Sequence, residues 1–292
     1  MIFETHEQNV ESPEVFSSRI KLRFMRHDEK ENDPKKSDYD IELTSKGRQH
    51  AKAQSEEVNL AQSVAFGSPR LRTQETAGFV MTGHRDEIIG DESFTQLREK
   101  VDRDINYGSK INVDPKLDFT LQENGRYFDE MLGYFKKGEL MKFLVEKSDE
   151  LARESGDNVS STYSSMAASV ASIILKYCGV AKRWDELVND EEKHYDKTLN
   201  RFLATHQGVQ ESFLAKVIER LKGQGERNRF VTVLKNKGFD YAEGFETEII
   251  TISGQEPIIH VSYKKVGDSP EKSFEFDENV PLSLIKDIAE RK

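Results

Sequence analysis

A single cysteine, Cys178, is all the thiol chemistry that the 292 residues contain. That scarcity excludes a disulfide framework and a zinc site of spaced cysteines and histidines, and it fits a reducing, cytoplasmic compartment. No run of about 18 apolar residues is read, so no membrane span is expected. An excess of positive charge is missing too. Against 53 Asp and Glu stand 43 Lys and Arg, and the formal net charge of -10 argues against nucleic acid or a membrane surface as partner. The first 19 residues carry Glu4, Glu7, Glu11 and Glu14 with no apolar core, which reads as a loosely ordered arm and not as a signal peptide. H-E-x-x-H, a P-loop and G-x-S-x-G are all absent, and Gly223-Gln224-Gly225 lacks the remaining glycine of a dinucleotide fingerprint. Neither a metal nor an organic cofactor is therefore expected.

What is present is a set of apolar strands that end in reactive residues. Ile20, Leu22 and Phe24 alternate with charged positions and run into Arg26-His27-Asp28-Glu29, where a strand gives way to a long polar loop. Phe202-Leu203-Ala204 runs likewise into Thr205-His206-Gln207-Gly208, followed by a helix with Phe213, Leu214, Val217, Ile218 and Leu221 at helical spacing. Between them, Ser63-Val64-Ala65-Phe66 leads through Gly67-Ser68-Pro69-Arg70-Leu71-Arg72 into another helix, with Pro69 near its start. Open α/β sheets gather their ligands beyond the strand carboxyl ends, so these segments are placed to converge. Two histidines with arginines form a set suited to phosphoryl transfer, because guanidinium forks match phosphate oxygens and imidazole is a nucleophile.

These segments resemble the histidine phosphatase superfamily, with the phosphoglycerate mutase-like fold, in its larger branch. The R-H-G motif of that family appears as Arg26-His27-Asp28, with aspartate in place of glycine. L-T-x-x-G-x-x-Q-A is matched by Leu43-Thr44-Ser45-Lys46-Gly47-Arg48-Gln49-His50-Ala51, and S-P-x-x-R-x-x-x-T-A by Ser68-Pro69, Arg72 and Thr76-Ala77. The late histidine is His206, with Gln207 inserted before Gly208. The resemblance covers roughly residues 20 to 215 and implies a three-layer α/β/α fold with a mostly parallel sheet.

The resemblance further implies hydrolysis of a phosphomonoester through phosphohistidine at His27, with Arg26, Arg72 and His206 stabilising charge on the phosphoryl group. It assigns the phosphate arginine to Arg72 rather than Arg70. Leu97-Arg98-Glu99-Lys100 is similar to the mutases' L-N-E-R, which makes Glu99 the candidate general acid, with Asp102 and Asp28 as substitutes. Asn32 lies near a position where the family keeps a substrate-touching asparagine. A carboxylate at Asp28, beside the nucleophile, favours imidazolium and so a raised pKa of His27, whereas the nearby Arg26 and Arg72 push the other way. His50 follows a helical pattern over residues 45 to 57 and reads as structural. The substrate class is a small-molecule or protein phosphomonoester. A phosphate-binding or regulatory member with little turnover is the alternative reading, and a phosphomutase the third.

Residues 20–292 read as one domain. A helical insertion spans about 120–180, in which Phe128, Met131, Leu132 and Phe135 mark an amphipathic helix broken near Gly138; its apolar stripe reads as core packing or, as the resemblance implies, as a cover over the crevice. Asp157 or Asn158 is the expected cap of a core helix running to Tyr177. A C-terminal hairpin over 247–252 and 257–263 closes the sheet's edge in this reading, and a short helix follows around Leu282–Ile288.

Overall fold

The computed structural model describes residues 18–103, 109–190, 194–252 and 255–291. Of the expected N-terminal arm, residues 1–17 lie outside the described residues, while Ser18 and Arg19 already belong to the first strand. The described strands form one sheet: β1 (Ser18–Arg26), β2 (Ser63–Gly67), β3 (Ile111–Val113), β4 (Thr198–Thr205), β5 (Gly244–Thr251), β6 (Ile258–Lys265) and β7 (Phe274–Asn279), in the order β3-β2-β4-β1-β5-β6-β7.

The sheet is mixed, where a mostly parallel one is expected from the sequence. β1, β2, β3 and β4 pair in parallel, and β5, β6 and β7 are added antiparallel, one after another. The expected hairpin is therefore the first two strands of a three-stranded meander. It lies beside β1 with Phe24 opposite Phe245, and β7 takes the edge instead. β7 escapes the sequence because its alternation, Phe274 and Phe276 among Glu275, Asp277 and Glu278, is short and mostly charged.

Helices cover both faces. On one, α1 (Ser45–Ala53), α2 (Leu71–Thr82) and α3 (Phe94–Arg103) enclose a core in which Phe79, Val80 and Leu97 meet Met25, Ala65, Phe202 and Ala204. In the insertion, α4 (Arg126–Lys136) ends at Gly138, whose φ of +73° suits glycine, and the chain resumes as α5 (Leu140–Phe143), a π-helical turn over Leu144–Ser148, and α6 (Asp149–Ser155). On the second face, α7 (Tyr163–Val188), α8 (Val209–Lys222), α9 (Gln224–Val233) and α10 (Leu282–Ala289) bury Ile20, Leu22 and Phe24 from the other side of β1.

The cap of α7 is Thr162, whose hydroxyl accepts from the Ser165 amide while the Ser165 hydroxyl accepts from the Thr162 amide. Asp157 instead closes the preceding turn through the amides of Val159 and Ser160. Among the described residues α7 alone is long and apolar enough to cross a membrane, by length and composition. Its Val170, Ile173 and Ile174 are nevertheless buried in the core. Cys178, half-buried on this helix, has its thiol pushed up to about 11 by burial, as expected of a packed thiol.

Phe245 ties the two halves of the sheet to α8, stacking on Phe24 at 4.9 Å and on Phe213 at 5.5 Å between centroids. Phe24→Ala removes the β1 ring of this β1–β5 contact and is expected to cost about 3–5 kcal/mol of stability. Urea unfolding measures it, and a loss under about 1 kcal/mol contradicts the packing described.

Candidate active site

Parallel register brings the two histidines together. Arg26 of β1 lies opposite Thr205 of β4, so the next residue of each strand is a histidine. The His27 amide continues the ladder to the Thr205 carbonyl at 2.8 Å, and the two imidazoles meet edge-on, 5.3 Å between centroids. β2 adds Ser68 in the same way: Gly67 lies opposite Ala204, and the Ser68 hydroxyl reaches His206 Nε2 at 2.8 Å. Both rings are largely withdrawn from solvent, His27 with 9% and His206 with 3% exposure.

The tautomer of His27 is fixed by its neighbour. Its Nδ1 lies 2.8 Å from the Asp28 carbonyl oxygen, which can only accept, so Nδ1 carries the proton and Nε2 keeps a lone pair. Burial, with the charges of His206, Arg72 and Arg26, holds the ring well below the usual histidine range against the pull of that carbonyl. Of the two opposed effects expected from the sequence, the arginines prevail over the Asp28 carboxylate. The Asp28 carboxylate does not face the His27 ring; it accepts from His50 Nδ1 at 2.6 Å and from the Glu29 amide at 2.7 Å. The Asp28 amide donates to Thr76 Oγ1 at 2.9 Å.

The second motif is the scaffold of this loop. Thr44 caps α1 by accepting from the Gly47 amide, and a Cβ at Gly47 would run into the Glu29 carbonyl, so glycine lets α1 lie against the segment after His27. α1 thereby presents His50 to Asp28. Leu43 and Arg48 donate to Glu75 of α2 at 2.5 and 3.1 Å, and burial pushes the Glu75 carboxyl up to about 7 despite them.

A cavity of ≈ 460 Å³ opens beyond the strand ends, and Arg26, His27, Lys30, Arg72 and His206 all line it. Arg26 donates to the Phe239 carbonyl at 2.7 Å and lies over the Tyr241 ring at 4.7 Å. Arg72 donates to both carboxylate oxygens of Asp38 at 3.1 Å and to its carbonyl at 2.7 Å. Burial, then Arg70, lowers Arg72 to about 10, which leaves it charged at neutral pH. Asp38 also pairs with Lys30 and Arg70, making it the counter-ion of three cations. Arg70 also pairs with Asp118 and lies over the Phe119 ring, and of the two arginines it is Arg72 that lines the cavity.

Three expected residues stand apart from the site. Glu99 lies on the exposed face of α3, where Leu97 and Val101 take the buried face, and it borders surface grooves with Thr95 and Arg98 or with Gln96 and Lys100. Its resemblance to L-N-E-R falls inside a helix rather than after a strand. Asp102 holds the Lys110 amide at 3.0 Å, and Asn32 is exposed on the loop without lining the cavity.

The carboxylate that reaches a site histidine is Asp118, 3.2 Å from His206 Nε2 and 2.9 Å from Arg70 Nε. Burial opposes its charge, but the hydrogen bonds from His206 and Arg70 hold it below the usual carboxylate range. His206 is pushed down to about 4 by burial, against the Asp118 hydrogen bond and with the arginine charges assisting. Sequence reasoning misses Asp118 because β3 is short; the signal available is the turn Asp114-Pro115-Lys116-Leu117 after Ile111-Asn112-Val113. Among the described residues no group of three or more His, Cys, Asp or Glu is arranged to hold a metal.

Residues 22–100 match the family model of the histidine phosphatase superfamily (branch 1). This stretch carries the histidine phosphatase superfamily signature. The matched stretch includes Arg26, His27, the Leu43–Ala51 segment and Arg72; His206 and Asp118 lie beyond it. No curated protein matches the chain. Similar solved structures include "Mycobacterial hydrolase 2", 15% identical, with 94% of this chain and 98% of that one covered at a TM-score of 0.44. A mycobacterial glucosyl-3-phosphoglycerate phosphatase with inorganic phosphate is 15% identical, covering 87% and 99% at 0.43. A phosphoserine phosphatase from Entamoeba histolytica with 3-phosphoglyceric acid is 14% identical, covering 87% and 99% at 0.39.

Both site rings are expected to be neutral between about pH 6 and 8, where an unperturbed histidine titrates. Nitrogen-detected NMR of the imidazoles checks this, with His27 protonated at Nδ1 alone. Because the folded pKa values lie below the unfolded one, these rings withdraw stability as pH falls from about 6.5 toward their folded values. A His27 ring that protonates near pH 7 contradicts the site's electrostatics.

Proposed function

We propose that this protein hydrolyses phosphomonoesters by way of a phosphohistidine on His27. The observation that carries the reading is the nucleophile itself: a buried neutral imidazole whose Nδ1 is held by a carbonyl, leaving the Nε2 lone pair for a cavity that it shares with Arg26, Arg72 and His206. In the first step Nε2 bonds to phosphorus as the ester P–O bond breaks, and the departing oxygen takes a proton. Arg26 and Arg72 supply charge for the phosphoryl oxygens throughout, the larger share of the rate enhancement in such sites.

The proton comes from the His206–Asp118 pair. A bound phosphate dianion offsets the arginine charges that depress His206, and Asp118 then stabilises its imidazolium. In the second step water attacks phosphorus, the N–P bond breaks, and the proton of the water returns to the same pair. His27 leaves as it entered, neutral and hydrogen-bonded to Asp28.

A second reading, phosphate binding with little turnover, is favoured by one observation: among the described residues no aspartate or glutamate lines the cavity. Phosphate release from an aryl and an alkyl phosphate in chelator separates the two. The hydrolytic reading expects His27→Ala to lose at least roughly 10³-fold. Asp118→Asn loses about 10–100-fold, more for the alkyl ester, whose poorer leaving group leans on the donor. Glu99→Gln stays within about twofold of the wild type. Undiminished turnover in His27→Ala, or a larger loss in Glu99→Gln than in Asp118→Asn, overturns the roles assigned; binding of phosphate with no release from either ester selects the second reading.

A further inference from the structure

Beyond its charged end the cavity is apolar. α4 turns Phe128, Met131, Leu132 and Phe135 into it at helical spacing, and Leu140, Leu144 and Met166 close it from α5, the π-helical turn and α7. Three of the polar residues on this wall make hydrogen bonds within the protein. The Tyr127 hydroxyl donates to the Ser161 carbonyl at 2.8 Å, the Ser161 hydroxyl accepts from the Thr120 amide at 2.9 Å, and the Gln207 amide donates to the Lys237 carbonyl. Phe135 and Tyr241 line the cavity and yet stay exposed, which carries the apolar surface out to its mouth.

Such a wall discriminates by what it fails to offer. A sugar, a glycerate or an amino acid brings hydroxyl, carboxylate or ammonium groups that need partners once water is displaced, and a group buried without them is penalised. An alkyl or aryl chain needs none and removes apolar surface of its own and of the wall from water. The cations cluster at the strand ends, where the phosphoryl group belongs, and Lys30 and Arg72 are already balanced there by Asp38.

We infer that the preferred substrate is a phosphomonoester of an uncharged, apolar alcohol or phenol, its chain lying along α4 between the phosphate-binding residues and the mouth at Phe135 and Tyr241. The inference rests on the phosphate-binding reading of the same site. Alkylphosphonates test it without requiring turnover, since their C–P bond is not cleaved by phosphoryl transfer to His27.

Calorimetric titration of the wild type with methyl-, butyl- and octylphosphonate is expected to show affinity rising by roughly fourfold for each methylene that becomes buried. In the half-exposed wall variant Leu132→Gln the octyl-to-methyl affinity ratio falls several-fold. Equal affinity across the series, with methylphosphonate bound, overturns the apolar preference and leaves the phosphate site standing. A chain-length gain that persists unchanged in Arg72→Ala with no contribution from the phosphonate head also overturns it, as binding elsewhere on the surface. Absence of binding by any phosphonate overturns both the preference and the phosphate site on which it rests. Tighter binding of 3-phosphoglycerate than of octylphosphonate overturns the preference alone.

Discussion

The hydrogen bond from His27 Nδ1 to the Asp28 carbonyl, 2.8 Å long, sets which nitrogen of the proposed nucleophile is free. A backbone carbonyl one residue away is a poor base and cannot remove the proton, so it orients the ring without charging it. For that bond to form, Asp28 must be held in place by something other than His27. Thr76 of α2 takes its amide, and His50 of α1 takes its carboxylate. The two helices flanking the first strand-end loop thus converge on one residue, and the unusual aspartate at this position gains a structural task.

Charge is arranged in the same economical way. A protein with a net charge of -10 concentrates Arg26, Lys30, Arg70 and Arg72 around one crevice and offsets them with Asp38 and Asp118. The clustered cations help to keep the two histidines neutral, and they are what an arriving dianion would meet. A neutral His27 and cationic surroundings are therefore two consequences of one arrangement. The apolar insertion above it completes the contrast: the strand-end side of the cavity is set by charge, the rest by the lack of it.

Much of this was legible because strand ends announce themselves. Arg26-His27 and Thr205-His206 each follow an apolar strand, and parallel pairing in register makes them neighbours without any further information. Leu43–Ala51 was legible as a motif, although its task as a brace for Glu29, Asp28 and Glu75 emerges only when α1 is seen packed beside the loop. Glu99 misled because a tetrapeptide looks the same on an exposed helix as after a strand; burial of Leu97 and Val101 decides the face, and periodicity could have flagged it. Asp118 escaped for the converse reason, since β3 is three residues long and its role arises from tertiary contact with His206 and Arg70. The mixed character of the sheet was half legible. The hairpin segments were visible, but nothing local says that β5 docks beside β1 rather than at an edge, a choice made by the stacking of Phe24, Phe245 and Phe213.

The central claim is that phosphorus is bonded to His27 Nε2 during turnover. Rapid denaturing quench of the protein with an aryl phosphate, followed by peptide mass spectrometry under alkaline conditions that preserve phosphoramidates, measures it directly. The account predicts an acid-labile, alkali-stable phosphoryl group on the peptide containing His27, with none on the peptide containing His206. Phosphate release at full rate with no such adduct at any quench time, or an adduct on His206 instead, would contradict it.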